Sequence, residues 1–494
     1  MKGIFELLII VVVIAIIYQM FFSKKKYKEY DPREYKQPDH SKGNIISKPK
    51  DGYTPDPPMG ESRPYAESLP DKDLLQEKDK LDKDRVIFGH HLSNGEEFFI
   101  LDKEMNLMTL VVGATGAGKT VAMKTLLELP FKNNDPIVVI DGKGDVDFAE
   151  DLKIISKKYN RNFKLFSMDS TVESMHYNCL RHGGFTELKD KIINIFDWSE
   201  EHYKLQAERL LQGAFKLLLL PETKELIQKN VIDLSDLSSA LNLNSLATIA
   251  QQIGEPGKFM IRILNEVEES AGKGLANRIK SITESELAHL FVDTLDPMTI
   301  DLLESIENND VVVFSIDALK FPEYAKMIGR LVIADLKTVS PKFAGQNKRI
   351  YTVFDEFNVF ASEIIVNLIN KTRGFGFRNI LGTQELADMT IDGNDQLMKQ
   401  ILANTNVKIC LRQDVTSSQE ELSNSLSTKD IYKPTISTST STNSDDVNRS
   451  QSISLEEELI YKPRDFGRLN IGEAIVFTKV PEFRYGKIKV RMVK

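Results

Sequence analysis

Residues 113–120 of the chain read Gly-Ala-Thr-Gly-Ala-Gly-Lys-Thr, and this stretch restricts the possible folds more than any other. The apolar run Thr109–Val112 precedes it, and a helical pattern, Val121–Leu129, follows it. Glycines here let the backbone curl so that several N–H groups face one anion, and the helix adds its positive amino end. This is the Walker A pattern of phosphate-binding loops in its strand–loop–helix context. The residues predicted to bind the nucleotide are Gly113, Ala114, Thr115, Gly116, Ala117, Gly118, Lys119, Thr120 and Val121.

Two side chains of this loop and two acids far along the chain carry the predicted chemistry. Lys119 should reach the β- and γ-phosphates, and the Thr120 hydroxyl should ligate Mg²⁺. A second apolar run, Ile350–Phe354, ends in Asp355 and Glu356. Buried acids at a strand end need a cation or polar partners. We therefore expect Asp355 to hold the metal and Glu356 to polarise the attacking water, with ATP and Mg²⁺ as cofactors of an ATP hydrolase.

Further polar residues follow or flank later strands. Gln384 comes just after the run Asn379–Leu381, where RecA-type ATPases carry a γ-phosphate sensor; an ordinary helix-start glutamine is the alternative. Arg373, Arg378 and Arg412 lie near strand ends on what we expect to be the same part of the fold. One of them is a candidate arginine finger for the γ-phosphate of a neighbouring subunit, with Arg373 as first choice and a surface arginine as the alternative.

The stretch Asp141-Gly142-Lys143-Gly144-Asp145 follows another apolar run, Ile137–Ile140. The acid at the end of that run could face the nucleotide site. The stretch could equally be a tight turn after a strand, and the sequence leaves both interpretations open.

Continuous apolar runs separated by helical patterns indicate an α/β fold with a parallel sheet covered on both faces. The predicted strands are Phe98–Leu101, Thr109–Val112, Ile137–Ile140, Phe163–Phe166, Val311–Ile316, Ile350–Phe354, Asn379–Leu381 and Val407–Leu411. Between Thr186 and Glu307 the pattern is helical with almost no strand signal, for example over Leu205–Leu220 and Ile261–Ile282. The fold class predicted is a RecA-like P-loop NTPase domain with an inserted all-α domain.

Two features stand out near the C-terminus. Residues 434–453 are rich in Ser and Thr and predict a mobile surface loop. A final hairpin is expected, with strands Ala474–Lys479 and Lys487–Val493 around a turn at Arg484-Tyr485-Gly486.

The N-terminus predicts a membrane anchor. The run Ile4–Phe22 is almost wholly apolar and as a helix would rise about 28 Å, enough to cross a hydrocarbon core. Four lysines follow it, against the single Lys2 before it: Lys24, Lys25, Lys26 and Lys28. Positive residues stay on the cytoplasmic side, so we expect a single-pass protein of the cell membrane with its ATPase in the cytoplasm. A cleaved signal peptide would carry its basic residues at the other end.

Length and composition fit this organisation. The chain has 494 residues, enough for two or three domains. Its formal charge of -8 argues against an overall basic nucleic-acid binder but not against a local basic channel. Its two cysteines, Cys179 and Cys410, are far apart and predict free thiols in a reducing compartment. The predicted segments are a transmembrane anchor (1–23), a disordered cytoplasmic tether (24–85), the first part of the nucleotide-binding domain (86–185), the inserted helical domain (186–307) and the second part of the nucleotide-binding domain (308–494).

Taken in order, these stretches resemble the type IV coupling proteins of conjugation, the TraD/TraG-like branch of the HerA/FtsK-type P-loop ATPases. The resemblance covers roughly Val86–Lys494 and includes the N-terminal membrane segment more loosely. The stretches that carry it are GATGAGKT at 113–120, VVIDGKGD at 138–145, the helical insertion, TVFDEF at 352–357, TRGFGFRNILGTQ at 372–384 and ILANTNVKICLRQ at 401–413. The chain departs from the family pattern in showing one membrane segment where two are common.

The resemblance implies a homohexameric motor that delivers relaxase-bound single-stranded DNA to the proteins of a type IV secretion channel. Candidate DNA contacts in the helical segment are Lys258, Arg262, Lys273, Arg278 and Lys280, with solvated helix faces as the alternative. Other functions remain open: an ATPase that energises protein secretion, a double-stranded DNA translocase of the FtsK/HerA type, or a membrane scaffold stabilised by nucleotide.

Overall fold

The computed structural model describes residues 83–294, 298–361, 371–390, 394–440 and 447–493. Within these ranges no helix combines the length and the apolar character needed to cross a bilayer. The predicted anchor at 4–22 and nearly all of the predicted tether lie outside the described residues. The described chain enters its first strand at Arg85, the last residue assigned to the tether.

A single sheet of eleven strands organises the described residues, in the order β2-β1-β15-β14-β11-β3-β10-β9-β4-β8-β5. The seven strands from β11 to β5 are mutually parallel, and the other four pair antiparallel. The strands of this sheet are β1 Arg85–His91, β2 Glu97–Leu101, β3 Thr109–Val112, β4 Ile137–Asp141, β5 Phe163–Ser167, β8 Val311–Ser315, β9 Ile350–Asp355, β10 Phe377–Thr383, β11 Val407–Cys410, β14 Glu473–Thr478 and β15 Arg484–Val490. A short parallel pair lies outside it, β6 His176–Tyr177 and β7 Thr299–Ile300.

Helices cover both faces of the sheet, as the continuous apolar runs predict. The α-helices of the described residues are α1 Asp102–Met105, α2 Lys119–Asn133, α3 Val146–Lys158, α4 Phe185–Ile193, α5 Glu201–Leu218, α6 Pro221–Ile227, α7 Leu234–Ala240, α8 Leu243–Gln252, α9 Lys258–Glu266, α10 Glu269–Thr283, α11 Leu302–Glu307, α12 Pro322–Val339, α13 Gln396–Asn404, α14 Thr416–Asn424 and α15 Pro463–Gly467. One core forms where α2 and α3 pack on Val111, Val139 and Val353. The other forms where α12 and the helical segment pack on Phe314 and Phe354. The prediction of an α/β chain built on a parallel sheet is confirmed.

The helical segment shares the core of the sheet. Leu210 and Phe215 of α5 belong to the same buried cluster as Phe314 and Phe354 of the sheet. A buried polar contact adds to this junction: Lys191 of α4 donates to the carboxylate of Asp335 in α12 at 2.6 Å. A buried ion pair of this kind needs an exact fit, because each charge loses its water. The helical segment therefore shares its core with the sheet through α4 and α5, and the division of the chain into separate domains stays a prediction.

Two predictions about the C-terminal part are wrong. The Ser/Thr-rich stretch expected to be a mobile loop lies largely in a long antiparallel hairpin, β12 Thr428–Thr440 and β13 Val447–Leu459. Threonine is β-branched and favours strands, and composition alone hid this preference. In the final hairpin Arg484-Tyr485-Gly486 begins β15 instead of forming the turn. The turn between β14 and β15 instead contains Pro481, which has no N–H to donate to a neighbouring strand.

Candidate nucleotide site

The glycine-rich loop joins β3 to α2, and its backbone leaves N–H groups free for a ligand. Gly116 and Gly118 have φ values of +75° and +109°, a region that side-chain-bearing residues rarely adopt. The first hydrogen bond of α2 runs from the Ala122 N–H to the Gly118 carbonyl. The N–H groups of Lys119 and Thr120 therefore precede any intrahelical partner and point out of the helix end, as an anion site requires.

Neighbouring strands fix the start of this loop. The Gly113 N–H donates to the Thr383 carbonyl at 3.2 Å, at the end of β10. The Ala114 N–H donates to the Arg412 carbonyl at 2.9 Å, just after β11. Because β3 lies between β10 and β11, both bonds form at the same edge of the sheet. The loop is thus held from both sides before any ligand arrives.

The predicted acids meet the predicted lysine at this edge. Lys119 Nζ lies 2.9 Å from Asp355 Oδ1 and 2.7 Å from Glu356 Oε1. All three side chains are at most 10% exposed. Burial lowers the pKa of the Lys119 ammonium, but the charges of Asp355 and then Glu356 outweigh it, and the pKa stands above its usual value. Lys119 is therefore a cation held by two carboxylates at the mouth of the loop.

Gln384 links the base candidate to the loop. Its Nε2 donates to Glu356 Oε1 at 3.0 Å. Its Oε1 accepts a hydrogen bond of 2.8 Å from the Thr115 hydroxyl. The two bonds fix which way the amide points, since the donor and acceptor ends have different partners. Lys119, Glu356, Gln384 and Thr115 thus form one chain of hydrogen bonds, and the role of Thr115 in it was missed by the sequence analysis.

Close packing around Asp355 identifies a further residue that the sequence did not single out. Gly382 lies one residue before the end of β10, and a Cβ on it would sit 2.8 Å from Asp355 Oδ1 and 1.9 Å from the terminal carbon of Met123. A glycine fits here because the Met123 methyl and the Asp355 carboxylate together occupy the space of a side chain. A single glycine inside a strand is a known sign of such a close approach.

Glu356 itself sits on unusual backbone. Its φ is +49°, in the left-handed region that few residues other than glycine adopt. The residue opens a short 3₁₀ turn, Phe357–Phe360, whose two phenylalanines are buried. Burial of these rings holds the turn in place, and a strained residue held by its surroundings is a common feature of functional sites.

The stretch after β4 is a tight turn at the same edge. Both carboxylate oxygens of Asp141 accept backbone N–H groups, from Lys143 at 3.0 Å and Asp145 at 2.6 Å. Asp145 in turn caps the start of α3. Asp141 also lies beside Asp355 on the neighbouring strand β9. The stretch is therefore a tight turn whose first acid borders the nucleotide site, so each of the two interpretations is correct in part. Burial, and then the charge of Asp355, raise the pKa of Asp141 to about 7.

The three arginines do not share one part of the fold, and that expectation is wrong. Arg378 lies near the start of β10 and donates twice to Asp102, at 2.8 and 2.7 Å. Arg373 lies just before β10, so the strand's length of about 23 Å separates it from the loop of its own subunit. Arg412 alone follows a strand at the loop edge, and its Nε lies 3.2 Å from Asp414. A role of Arg373 toward a neighbouring subunit stays a prediction.

Most of the candidate DNA contacts have partners within their own helices or turns. Lys258, Lys273 and Lys280 form ion pairs with glutamates three or four residues away. The guanidinium of Arg278 lies over the Trp198 ring, 4.7 Å from its centre. These contacts agree with solvated helix faces as well as with a binding role.

The oxygens available at the loop suit the predicted metal. In the described part of the chain no group of three or more His, Cys, Asp or Glu is placed to hold a metal ion. The predicted pair, a Thr120 hydroxyl and an Asp355 carboxylate, supplies the hard oxygen donors that Mg²⁺ takes together with waters and phosphates. The residues therefore fit Mg²⁺ bound with a nucleotide, and their assignment stays a prediction.

Comparison with known proteins agrees with this architecture. A family model described as the central domain of the helicase HerA matches residues 88–337, and one described as the TraM recognition site of TraD and TraG matches residues 349–470. Among curated proteins, the type 4 coupling protein DotL of Legionella pneumophila subsp. pneumophila is 19% identical over 390 residues, which is 66% of this chain. The chain spans about half the length of that relative, 50%.

Solved structures show the same fold. The conjugative coupling protein TrwB, in an unbound form lacking its N-terminal segment, has a TM-score of 0.59 at 14% identity and covers 84% of this chain and 92% of its own. TrwB bound to ADP and Mg²⁺ has a TM-score of 0.56 at 13% identity, covering 80% and 87%. VirB4 of Thermoanaerobacter pseudethanolicus has a TM-score of 0.55 at 11% identity, covering 83% and 96%.

The sheet, the glycine-rich loop and the acids at its edge define a RecA-like P-loop protein of the HerA type. Matches to the HerA and TraG/TraD models together extend over most of the described chain. The chain belongs to the type IV coupling proteins, in the TraD/TraG-like branch of that class. The resemblance stated from the sequence is confirmed.

Proposed function

We propose that this chain is a membrane-anchored, ATP-driven motor that delivers relaxase-bound single-stranded DNA to a type IV secretion channel. Membership of the coupling-protein family supports the general role. The observation that carries the proposal is the convergence of Lys119, Asp355, Glu356 and Gln384 on the mouth of the glycine-rich loop. A protein that only used nucleotide as a structural ligand would not need a base and a sensor in hydrogen-bond contact there.

Each residue has a task that its position supports. The free N–H groups at the start of α2 and the Lys119 ammonium bind the phosphates. Thr120 and Asp355 would hold Mg²⁺, which would neutralise phosphate charge when bound. Glu356 accepts a proton from the attacking water. Gln384 acts as the γ-phosphate sensor. Structures of the related TrwB with ADP and Mg²⁺ and with a non-hydrolysable ATP analogue support this choice of ligands.

The ion pair between Lys119 and Glu356 supports a way in which a bound phosphate would release the base. Lys119 neutralises both acids, at 2.9 and 2.7 Å. A triphosphate carries more negative charge than either carboxylate and competes for the same ammonium. Lys119 then moves to the phosphates and leaves Glu356 free to act as the base.

ATPase measurements on the full-length protein in detergent test this proposal. We expect ATP hydrolysis that rises when single-stranded DNA is added. Lys119→Ala should abolish turnover while leaving the fold intact, because phosphate binding and charge neutralisation both depend on that ammonium. Unchanged turnover in this variant would remove the catalytic assignment.

The same assay separates the alternative functions. Stimulation by double-stranded DNA alone would favour a translocase of the FtsK/HerA type. Stimulation by a secreted protein, with no response to either form of DNA, would favour an ATPase that energises protein secretion. The acidic net charge of -8 gives the protein-secretion function some support.

We also propose that residues 4–22 anchor the chain in the cell membrane, that the ATPase faces the cytoplasm, and that six copies form the working ring. The apolar run and the lysines after it support the anchor and its orientation. Resistance of the membrane-bound protein to alkaline extraction, and its loss when residues 1–23 are removed, would test the anchor. Cross-linking in membranes would test the six-membered ring.

A further inference from the structure

A turn next to the phosphate loop has no task in the chemistry described above. Residues 469–472 lie between α15 and β14 and touch the loop directly. The Gly472 N–H donates to the Ala117 carbonyl at 3.0 Å. A Cβ on Gly118 would lie 3.5 Å from the Cα of Gly472. This turn therefore packs directly against the phosphate loop and forms a wall beside it.

Hydrogen bonds fix the turn tightly. The backbone N–H and the side-chain amide of Asn470 both donate to the Glu473 carboxylate, each at 3.0 Å. The Lys489 ammonium donates to the Ile471 carbonyl at 2.9 Å. Gly472 has a φ of +74°, which lets the chain reverse into β14. The position of the residue at the tip, Ile471, is thus set before any ligand binds.

The side chain at this tip is apolar and faces solvent. Ile471 is 65% exposed, although the turn that presents it is well ordered by its hydrogen bonds. A single exposed apolar residue is ordinary on a protein surface and would mean little elsewhere. Here it stands one residue from a direct contact with the phosphate loop.

The order of the strands shows which end of a nucleotide this wall would meet. Lys119, Glu356 and Gln384 mark where the terminal phosphate lies, on the side of β3 that faces β10 and β9. On the other side of β3 come β11 and then β14, which runs antiparallel to β11. The start of β14 therefore lies at the same edge of the sheet as the loop. A nucleotide lying along this edge of the sheet with its γ-phosphate toward Glu356 would extend its nucleoside toward residues 469–472.

We infer that Ile471 packs against the base of the bound nucleotide and supplies the apolar contact of the base subsite. This inference rests on the proposed function, since it takes the loop to bind a nucleotide. The flat face of a base and an isoleucine side chain both lose contact with water when they meet. Because hydrogen bonds already fix the backbone of the turn, binding would order only the Ile471 side chain.

Binding of ADP and of pyrophosphate, measured by calorimetry with Mg²⁺ on the full-length protein, tests the inference without turnover. Pyrophosphate occupies the loop but has no base. Ile471→Ala should weaken ADP binding about fivefold, the effect of losing part of one aliphatic contact, and leave pyrophosphate binding unchanged. Ile471→Leu should keep the wild-type affinity for both. Leu205→Ala, at an isoleucine-sized side chain 56% exposed in α5, is the matched control and should change neither.

Each outcome has a definite meaning. Unchanged ADP binding in Ile471→Ala would overturn the inference. An equal loss for ADP and pyrophosphate would also overturn it, because the variant would then act on the loop through Gly472. If the wild-type protein bound neither ligand, the proposed function itself would fail, and the inference with it.

Discussion

Replacing Thr115 by valine removes one hydroxyl and keeps the shape of the side chain. The lost hydrogen bond is the 2.8 Å contact that holds the acceptor end of the Gln384 amide. A bond between neutral groups contributes a net of about 1 kcal/mol, which corresponds to a factor of about five in rate if the amide must be held for the reaction. We therefore expect kcat to fall about fivefold, with little change in KM, because the phosphate-binding N–H groups are untouched.

The bond from Gln384 to the Glu356 carboxylate involves a charged acceptor and is worth about 1.5–3 kcal/mol. Gln384→Ala should accordingly lower kcat about 10- to 150-fold. If Thr115 acts only through Gln384, Thr115→Val should cause no further loss of kcat in the Gln384→Ala background. With Gln384 present, Thr115→Ser keeps the hydroxyl and should keep most of the wild-type rate. Additive losses in the double variant, or a serine variant as slow as the valine one, would refute the argument that the hydroxyl positions the amide.

Three further changes test other parts of the structure. Gly382→Ala should displace the Met123 methyl and the Asp355 carboxylate, and the Mg²⁺ concentration for half-maximal ATPase should rise about tenfold; an unchanged Mg²⁺ requirement would show that the carboxylate keeps its place. In nucleotide-free protein, the Asp141 carboxyl has a raised pKa, so its protonated form stabilises the folded state. This stabilisation is complete below the pKa of an aspartate in the unfolded chain and is lost as the pH rises through about 7. Denaturation of wild type and Asp141→Asn between pH 5 and 8 should show the wild type losing more stability over that range, and parallel curves would contradict it. Arg484→Met leaves the buried Glu104 carboxylate without its cation and should lower the free energy of unfolding by about 3–5 kcal/mol in urea titrations; a loss under 1 kcal/mol would show that the pair contributes little.

The sequence predicts the parts of this protein whose information is local. The run before Gly113 and the run before Asp355 are continuous and apolar because both faces of a parallel sheet are covered, and this alone predicts strands. The phosphate loop is a contiguous motif, so its backbone conformation follows from its glycines. Asp355 and Glu356 follow Lys119 by more than 230 residues, yet they lie beside it because their strand and the strand before the loop end at the same edge of one sheet.

What the sequence could not predict depends on which strand lies beside which. Arg378 was a candidate arginine finger, but it lies near the start of β10 and so at the opposite edge from the loop, paired with Asp102. Gly382 and Thr115 are significant only through contacts with Asp355 and Gln384, which are distant along the chain. In the Ser/Thr-rich stretch composition suggested a loop, while the pairing of β12 with β13 makes it a hairpin.

The place of β3 in the middle of the sheet has a consequence for how the protein is made. Its two neighbours, β10 and β11, begin only at Phe377 and Val407. At ordinary speeds of translation the segment 109–112 leaves the ribosome about 15–60 s before its partner at 407–410. During that interval an apolar strand has both edges open, so the nascent chain should depend on chaperones. A prematurely terminated product ending before residue 407 lacks β11 and the Arg412 carbonyl that holds one side of the loop.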